Sequence, residues 1–359
     1  MKEKQYSFNQ QTRYLYLDIV KGVAIFLMLW GHCIQYCALN DFDFFENPVF
    51  NFIYSFHMPL FMLVSGYLFA FSCKKRDLRT LVVHKVQGLL QPIVFCTMIN
   101  YFLTNIIARR HIENLLDAKW MSEIRSLWFL WSVLAASLII GFAYKVPKRR
   151  ITQLIIAFFG LLFVCLLPNP DMNMFMYPYF IIGFIFACVK DRIPIFFNKL
   201  KYLSLGCFPV LLLFFKKKDY KYITGIMNND YDLYSLIVNN LYQWAVGLVG
   251  SVFVLVLLEW FVIATKRIKP IELFGYAVSK IGQRSLQIYC LSVSLLSFFL
   301  PKLYDSFCER IIGFNLFAQN MLLYNFIFTP TIAICYAVGL YWLIKFLERI
   351  KISKVIFGR

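Results

Sequence analysis

Charge is scarce in this sequence, and acidic charge scarcest. Of 359 residues only 16% are charged, and only 19 are Asp or Glu. A water-soluble domain carries about 25% charged residues, so a chain with 60% apolar and 19% aromatic residues has too little polar surface to be soluble at this length. Also missing are a CxxC pair, a Gly-rich phosphate loop, a Ser-His-Asp order and any nucleic-acid motif. Twelve Pro and 16 Gly are too few for collagen-like or disordered chains. Ten cysteines without His ligands beside them make neither a disulfide framework nor a metal site. Cys33 and Cys37, on one helix face, read as small apolar packing residues.

What is present is length arranged in apolar runs. They fall at about 17–38, 49–72, 88–108, 127–144, 151–168, 172–189, 202–215, 236–264, 286–301 and 321–344. Most reach the ~17–25 residues a helix needs to cross hydrocarbon. The seventh is short and contains Pro209. Runs of this length, rather than short alternating segments, predict helices and not a barrel. The expected fold is an all-α polytopic membrane protein, with about ten transmembrane helices in one bundle, spanning residues 1–359 as a single membrane domain. The first run follows a basic lead without a small-residue cleavage site, so it reads as a retained span.

Lys and Arg number 37, giving a net charge of +18. In a membrane protein such an excess fits basic cytoplasmic loops against anionic lipid better than nucleic acid. With ten spans and both termini cytoplasmic, 26 basic residues lie inside and ten outside, with Lys21 in the first span. One loop breaks the rule: Lys216, Lys217, Lys218 and Lys221 fall outside.

Ionisable residues at membrane depth are functional candidates. The first span holds Asp18, Lys21 and His32. Asp18 and Lys21 are three apart and share a face, which also suits a plain interfacial ion pair. Eleven residues separate Lys21 from His32, so they return to within about 20° of one face, ~16 Å apart along the axis. The second span contributes His57 at a depth matching His32. Pro59 leaves the Ser55 carbonyl without its helical donor beside it, and Ser65-Gly66 permits close helix packing. Two imidazoles at one depth suit general-base chemistry near neutrality. The cytoplasmic basic residues Lys74, Lys75, Arg76, Arg79, Lys85 and Arg284 suit polyanionic phosphates, although topology alone accounts for them equally well. Asn239, Asn240 and Gln243 make the outer start of the eighth span polar and are weaker acceptor-site candidates. Glu259 reads as an interface residue.

The series Arg13-x4-Asp18-x2-Lys21-Gly22 through His32, then Phe56-His57-Met58-Pro59-Leu60-Phe61 into Ser65-Gly66-Tyr67, resembles the opening helices of the acyltransferase-3 family of integral membrane acyltransferases. Trp128-Phe129-Leu130 is similar to its aromatic motif, and Ile281-Gly282-Gln283-Arg284-Ser285-Leu286-Gln287-Ile288-Tyr289 to its late Ser-Leu-x-Ile-Tyr segment. The resemblance runs from the N-terminus to about residue 292. It implies an enzyme of the cell membrane that moves an acyl group, commonly acetyl from acetyl-CoA, to a hydroxyl of a cell-surface or exported glycan, without a metal. It also implies His32 and His57 as catalytic residues, with Lys21, Arg13, Lys85 and Arg284 toward the acyl-CoA. The family's basic-x10-His pair falls on Lys21 and His32, with Lys where Arg is commoner. Lys offers a point charge instead of a planar fork. Ser292 stands where many members carry a late His. The competing reading is a transporter or flippase for a glycan precursor, which should show related halves and midplane carboxylates. Neither is evident here.

Overall fold

The computed structural model describes residues 2–37, 43–107, 118–146, 149–164, 166–221, 232–265, 268–307, 310–311 and 320–358; the side chains of 2–14, 103–104, 106–107, 118–119, 265 and 294–299 lie outside that description. Every regular element among the described residues is helical. In chain order they are α1 (Lys2–Cys37), α2 (Pro48–Lys75), α3 (Leu78–Lys85), α4 (Gln91–Ile107), α5 (Ala118–Ser126), α6 (Trp128–Lys145), α7 (Arg150–Val164), α8 (Pro170–Val189), α9 (Pro194–Leu213), α10 (Leu233–Thr265), α11 (Lys269–Gln283), α12 (Ser285–Phe307), α13 (Met321–Arg349) and α14 (Ile352–Phe357). Each of the ten apolar runs in the sequence coincides with one of these helices or, for 88–108, with α4. Eight spans among the described residues are long and apolar enough to cross a membrane. One of them is α9, so the short seventh run gains length by recruiting Pro194 to Lys201. The 15-residue α7 is apolar but shorter.

The outward faces identify the surrounding solvent. Phe158 on α7 is 70% exposed and Leu213 on α9 is 80% exposed, in rows with Ile151, Leu154, Leu162, Phe196 and Leu203. Such continuous apolar rows are intolerable in water and ordinary against lipid. This is a multi-pass membrane protein.

The interior is organised around α1, which packs against α2, α10, α11, α12 and α13. Lipid tails are as apolar as the helices, so association relies on close fit and small residues. A side chain at Gly282 would place its Cβ 1.8 Å from the carbonyl oxygen of Asp18, and one at Gly22 would lie 2.2 Å from that of Val278. The α1–α11 contact is therefore backbone on backbone. A second such crossing joins α2 to α8, where Gly66 faces the Phe180 carbonyl and Gly183 faces that of Leu63, each at 2.0 Å from an added Cβ. The Ser65-Gly66 expectation of close approach is met there.

The start of α2 is fixed by Asn47. Its side-chain oxygen accepts from the amides of Val49 (2.9 Å) and Phe50 (3.1 Å), and Pro48 occupies the first turn, where no amide donor is needed. Asn47 is fully buried, and its Nδ2 donates to Asn325 Oδ1 of α13 at 2.8 Å. This cap sets the depth of every residue that follows, His57 included.

Candidate functional site

One unbroken helix carries both ends of the site. Because α1 is continuous through Lys21 and His32, the sequence-derived spacing of ~16 Å holds along a rigid axis.

At the Lys21 end, the Lys21 ammonium pairs with Asp18 Oδ1 at 2.7 Å, and Gln283 Nε2 donates to Asp18 Oδ2 at 3.1 Å. Both oxygens of the carboxylate are thus engaged, while an ammonium has three donors and spends one on Asp18. Lys21 lines a cavity of about 100 Å³ together with Ile25, Met58, Phe61, Ser65, Phe129, Leu130, Ser285 and Tyr289. All four sequence motifs therefore converge on one space. Phe61, Phe129 and Tyr289 form its aromatic wall, with successive ring centroids 5.7 Å apart. The lining reaches Ile25, seven residues short of His32, and Met58, the neighbour of His57.

The structure separates the other basic candidates from that cavity. Arg284 directly precedes the lining residue Ser285, but its guanidinium makes a two-bond fork with Glu348 (3.1 and 3.0 Å) and lies 5.1 Å over the Tyr341 ring. Lys85 sits over the Phe69 ring at 4.9 Å, beside a π-helical turn, Val86–Leu90, whose Leu89 lines the cavity. The Arg13 side chain lies outside the described residues. Ser292 is fully buried and donates to the Tyr289 carbonyl at 3.0 Å, within its own helix. Glu259 pairs with Lys201 at 2.5 Å.

At the His32 end, the two imidazoles do not touch. Tyr54 stands between them, its ring centroid 4.7 Å from His57 and 6.3 Å from His32. Its hydroxyl is 3.4 Å from His32 Nδ1. The same His32 nitrogen lies 3.3 Å from Gln35 Oε1, and His32 stacks on Tyr36 with centroids 5.6 Å apart. An amide oxygen can only accept, so in that contact Nδ1 is the donor. His57 is 2% exposed, and its Nδ1 donates to the Ile53 carbonyl at 2.9 Å. That bond fixes the same tautomer at His57. In both rings the hydrogen-bonded nitrogen is therefore Nδ1.

Tyr54 and Gln35 were not singled out in the sequence, although the spacing held the signal. Gln35 is three residues past His32 and Tyr54 three before His57, each on its histidine's face.

The exposed-lysine loop has a physical account. Lys216–Lys221 lies across the His32 end, tied down by side-chain bonds to its backbone. Asn51 Oδ1 accepts from Lys217 N (2.8 Å), Gln243 Nε2 donates to Lys216 O (2.8 Å), and Asn240 bonds both the amide and the carbonyl of Lys221 (3.0 and 2.9 Å). Lys218 pairs with Glu46. Asn240 and Gln243 thus hold this segment, while Asn239 has no such bond recorded among the described residues. Among the described residues no group of three or more His, Cys, Asp or Glu is placed to hold a metal ion.

Residues 14–340 match the family described as "Acyltransferase domain". Two curated proteins are similar. Nodulation protein NolL of Sinorhizobium fredii is 30% identical over 218 residues, 58% of each chain. Nodulation protein NolL of Mesorhizobium japonicum is 30% identical over 181 residues, 49% of this chain and 48% of its own. The alignments thus span about half the length of these relatives. No solved structure matches.

Proposed function

The chain belongs to the acyltransferase family whose domain it matches over residues 14–340, and on that premise we propose that it moves an acetyl group from acetyl-CoA to a hydroxyl of a cell-surface or exported glycan. One observation carries the reading: four separate sequence segments contribute to a single cavity that is lined by Lys21 and reaches Ile25 and Met58, on the two helices that carry His32 and His57. We take residues 1–359 to act as one unit in the cell membrane, with the Lys21 end facing the cytoplasm. Coenzyme A is cytosolic and polyanionic, which suits the end rich in basic residues. Its phosphates meet Lys21, whose two remaining donors are not used by Asp18, and the sequence's other basic candidates, Arg13, Lys85 and Arg284, are proposed to add positive potential. The extended pantetheine arm is comparable in length to the ~16 Å between Lys21 and His32, so the thioester reaches the histidine end once the Met58 and Phe61 side chains give way.

His32 Nε2 removes the proton from the acceptor hydroxyl as its oxygen attacks the thioester carbon. The new C–O bond forms, the C–S bond breaks, and the proton passes to the departing thiolate. Tyr54 holds His32 in place, and His57, on the other side of the Tyr54 ring, supports that tyrosine. Gln35 acts through His32 by fixing its tautomer.

The direct test is analysis of base-labile acetate in surface glycan from cells with and without the gene. Loss of a glycan ester on deletion is expected; identical ester content would remove the proposal. At the enzyme level, Lys21→Met is expected to raise the KM for acyl-CoA about tenfold or more while leaving kcat at saturation within a few-fold, the pattern for lost ground-state binding. A fall in kcat alone would contradict the assignment to the donor. Gln35→Leu is expected to do the reverse. Loss of one hydrogen bond, ~1 kcal/mol, lowers kcat about five- to tenfold with donor KM unchanged, and Gln35→Asn should recover part of it. An unchanged kcat would dismiss the tautomer role.

A further inference from the structure

The acyl-transfer reading leaves one cluster at the His32 end without a use. Lys217 lies in a single 3-10 turn, Lys217–Asp219, that contacts α2. Its ammonium sits 4.8 Å from the centroid of the Tyr220 ring and 5.7 Å from that of Phe175. Among the described residues it has no carboxylate partner, unlike its neighbour Lys218, which pairs with Glu46. The residue as a whole is half-buried, yet the ammonium is enclosed enough that burial pulls it down to about 8. It therefore remains mostly protonated at neutral pH. Ring faces soften the cost of burying such a charge but do not neutralise it.

The aromatic cluster continues inward. Phe175 meets Tyr179 at 5.7 Å, and Tyr179 stacks on Trp244 at 5.4 Å and 24°. The Trp244 Nε1–H is buried with no acceptor among the described residues. A buried donor left without a partner is costly, so the indole N–H lacks an oxygen beside an ammonium that, among the described residues, has no carboxylate partner. The cluster borders the reacting groups. Gly247, one turn beyond Trp244, abuts Pro59, two residues from His57, and Lys217 lies within electrostatic reach of His57. Considerable structure is committed to holding it there: Asn51, Gln243 and Asn240 bond the backbone on either side, and Tyr220 donates to the Asp171 carbonyl at 3.0 Å.

We propose that Lys217 and Trp244, with the rings of Phe175 and Tyr220 and with Tyr179 packed behind Trp244, form the acceptor subsite, and that they recognise a sugar unit bearing a negative group, a carboxylate or a phosphate. The charge seats on Lys217, the flat faces suit the sugar ring's C–H surface, and a ring or substituent oxygen satisfies the Trp244 N–H. A hydroxyl of the same or the adjoining sugar then lies toward the histidines. The inference rests on the acyl-transfer reading for its purpose, and its test is made separable by measuring binding and not turnover.

Purified protein in nanodiscs is titrated calorimetrically with methyl β-glucuronide, glucose 1-phosphate and methyl β-glucoside. Wild type is expected to bind one or both acidic sugars at least tenfold more tightly than the neutral one, the two acidic probes distinguishing carboxylate from phosphate. Lys217→Met should erase that difference, Lys217→Arg should restore most of it, and Trp244→Phe should weaken all sugars several-fold. A thermal melt and acyl-CoA binding, both expected unchanged in Lys217→Met, show that the fold and donor site persist. No binding of acidic sugars by wild type, or equal affinities in wild type and Lys217→Met, overturns the proposal. Failure of wild type to bind acyl-CoA, with the sugar pattern intact, counts against the acyl-transfer reading instead.

Discussion

His32→Ala protein, inserted and folded normally, is expected to bind acyl-CoA as wild type does and to lose acyl transfer by roughly 10²–10⁴-fold, the range general-base catalysis contributes. The reasoning is positional. His32 lies one to two turns beyond the described lining of the cavity that begins at Lys21, so its loss leaves the donor's contacts intact. What disappears is the basic Nε2 that Gln35 and Tyr54 orient from the Nδ1 side. Among the described residues His57 is held through Ile53 and the Tyr54 ring, and its own replacement should cost less. Initial rates of acyl transfer at saturating donor check this, with elution as a single species confirming the fold. A rate within threefold of wild type would remove His32 from the mechanism.

Gly282→Val is the other large effect, and it acts on assembly. An added Cβ would meet the Asp18 carbonyl oxygen at 1.8 Å and the Gly22 amide nitrogen at 2.7 Å. Both are backbone atoms of α1 that cannot swing aside, so α1 and α11 must separate. Overpacking of this kind typically costs about 1–3 kcal/mol and sometimes more. Separation also withdraws Gln283 from Asp18 and loosens the ion pair that orients Lys21. The expected outcome is a protein that melts many degrees lower or fails to accumulate, with donor binding lost. Gly206→Val is the control, because nothing lies within 4 Å of a Cβ there. Equal melting of the two variants would mean that the α1–α11 contact is looser than described.

These effects were legible in the sequence to different degrees. The helices were readable because burial in lipid demands long apolar runs whatever the partner helix is. The Lys21–His32 stripe was readable because both residues lie on one continuous helix. Contacts between helices were not readable in the same way. Nothing in the spacing of His32 and His57 told that Tyr54 would stand between them, since that depends on how α1 and α2 rotate against each other. The pairing of Arg284 with Glu348 was not readable either, because the two lie 64 residues apart in the sequence. The fastening of the lysine segment 216–221 was not readable because the side chains that bond its backbone come from α2 and α10. In each case the missing information was tertiary.

The central claim is that the donor is held at the Lys21 end and the chemistry performed at the His32 end of one helix. The most direct test is acyl-CoA binding to purified wild type, Lys21→Met and His32→Ala, measured by equilibrium titration under one set of conditions. The account predicts wild-type affinity for His32→Ala and affinity weakened about tenfold or more for Lys21→Met. Equal affinities in all three proteins, or weakening by His32→Ala to match Lys21→Met, would contradict it.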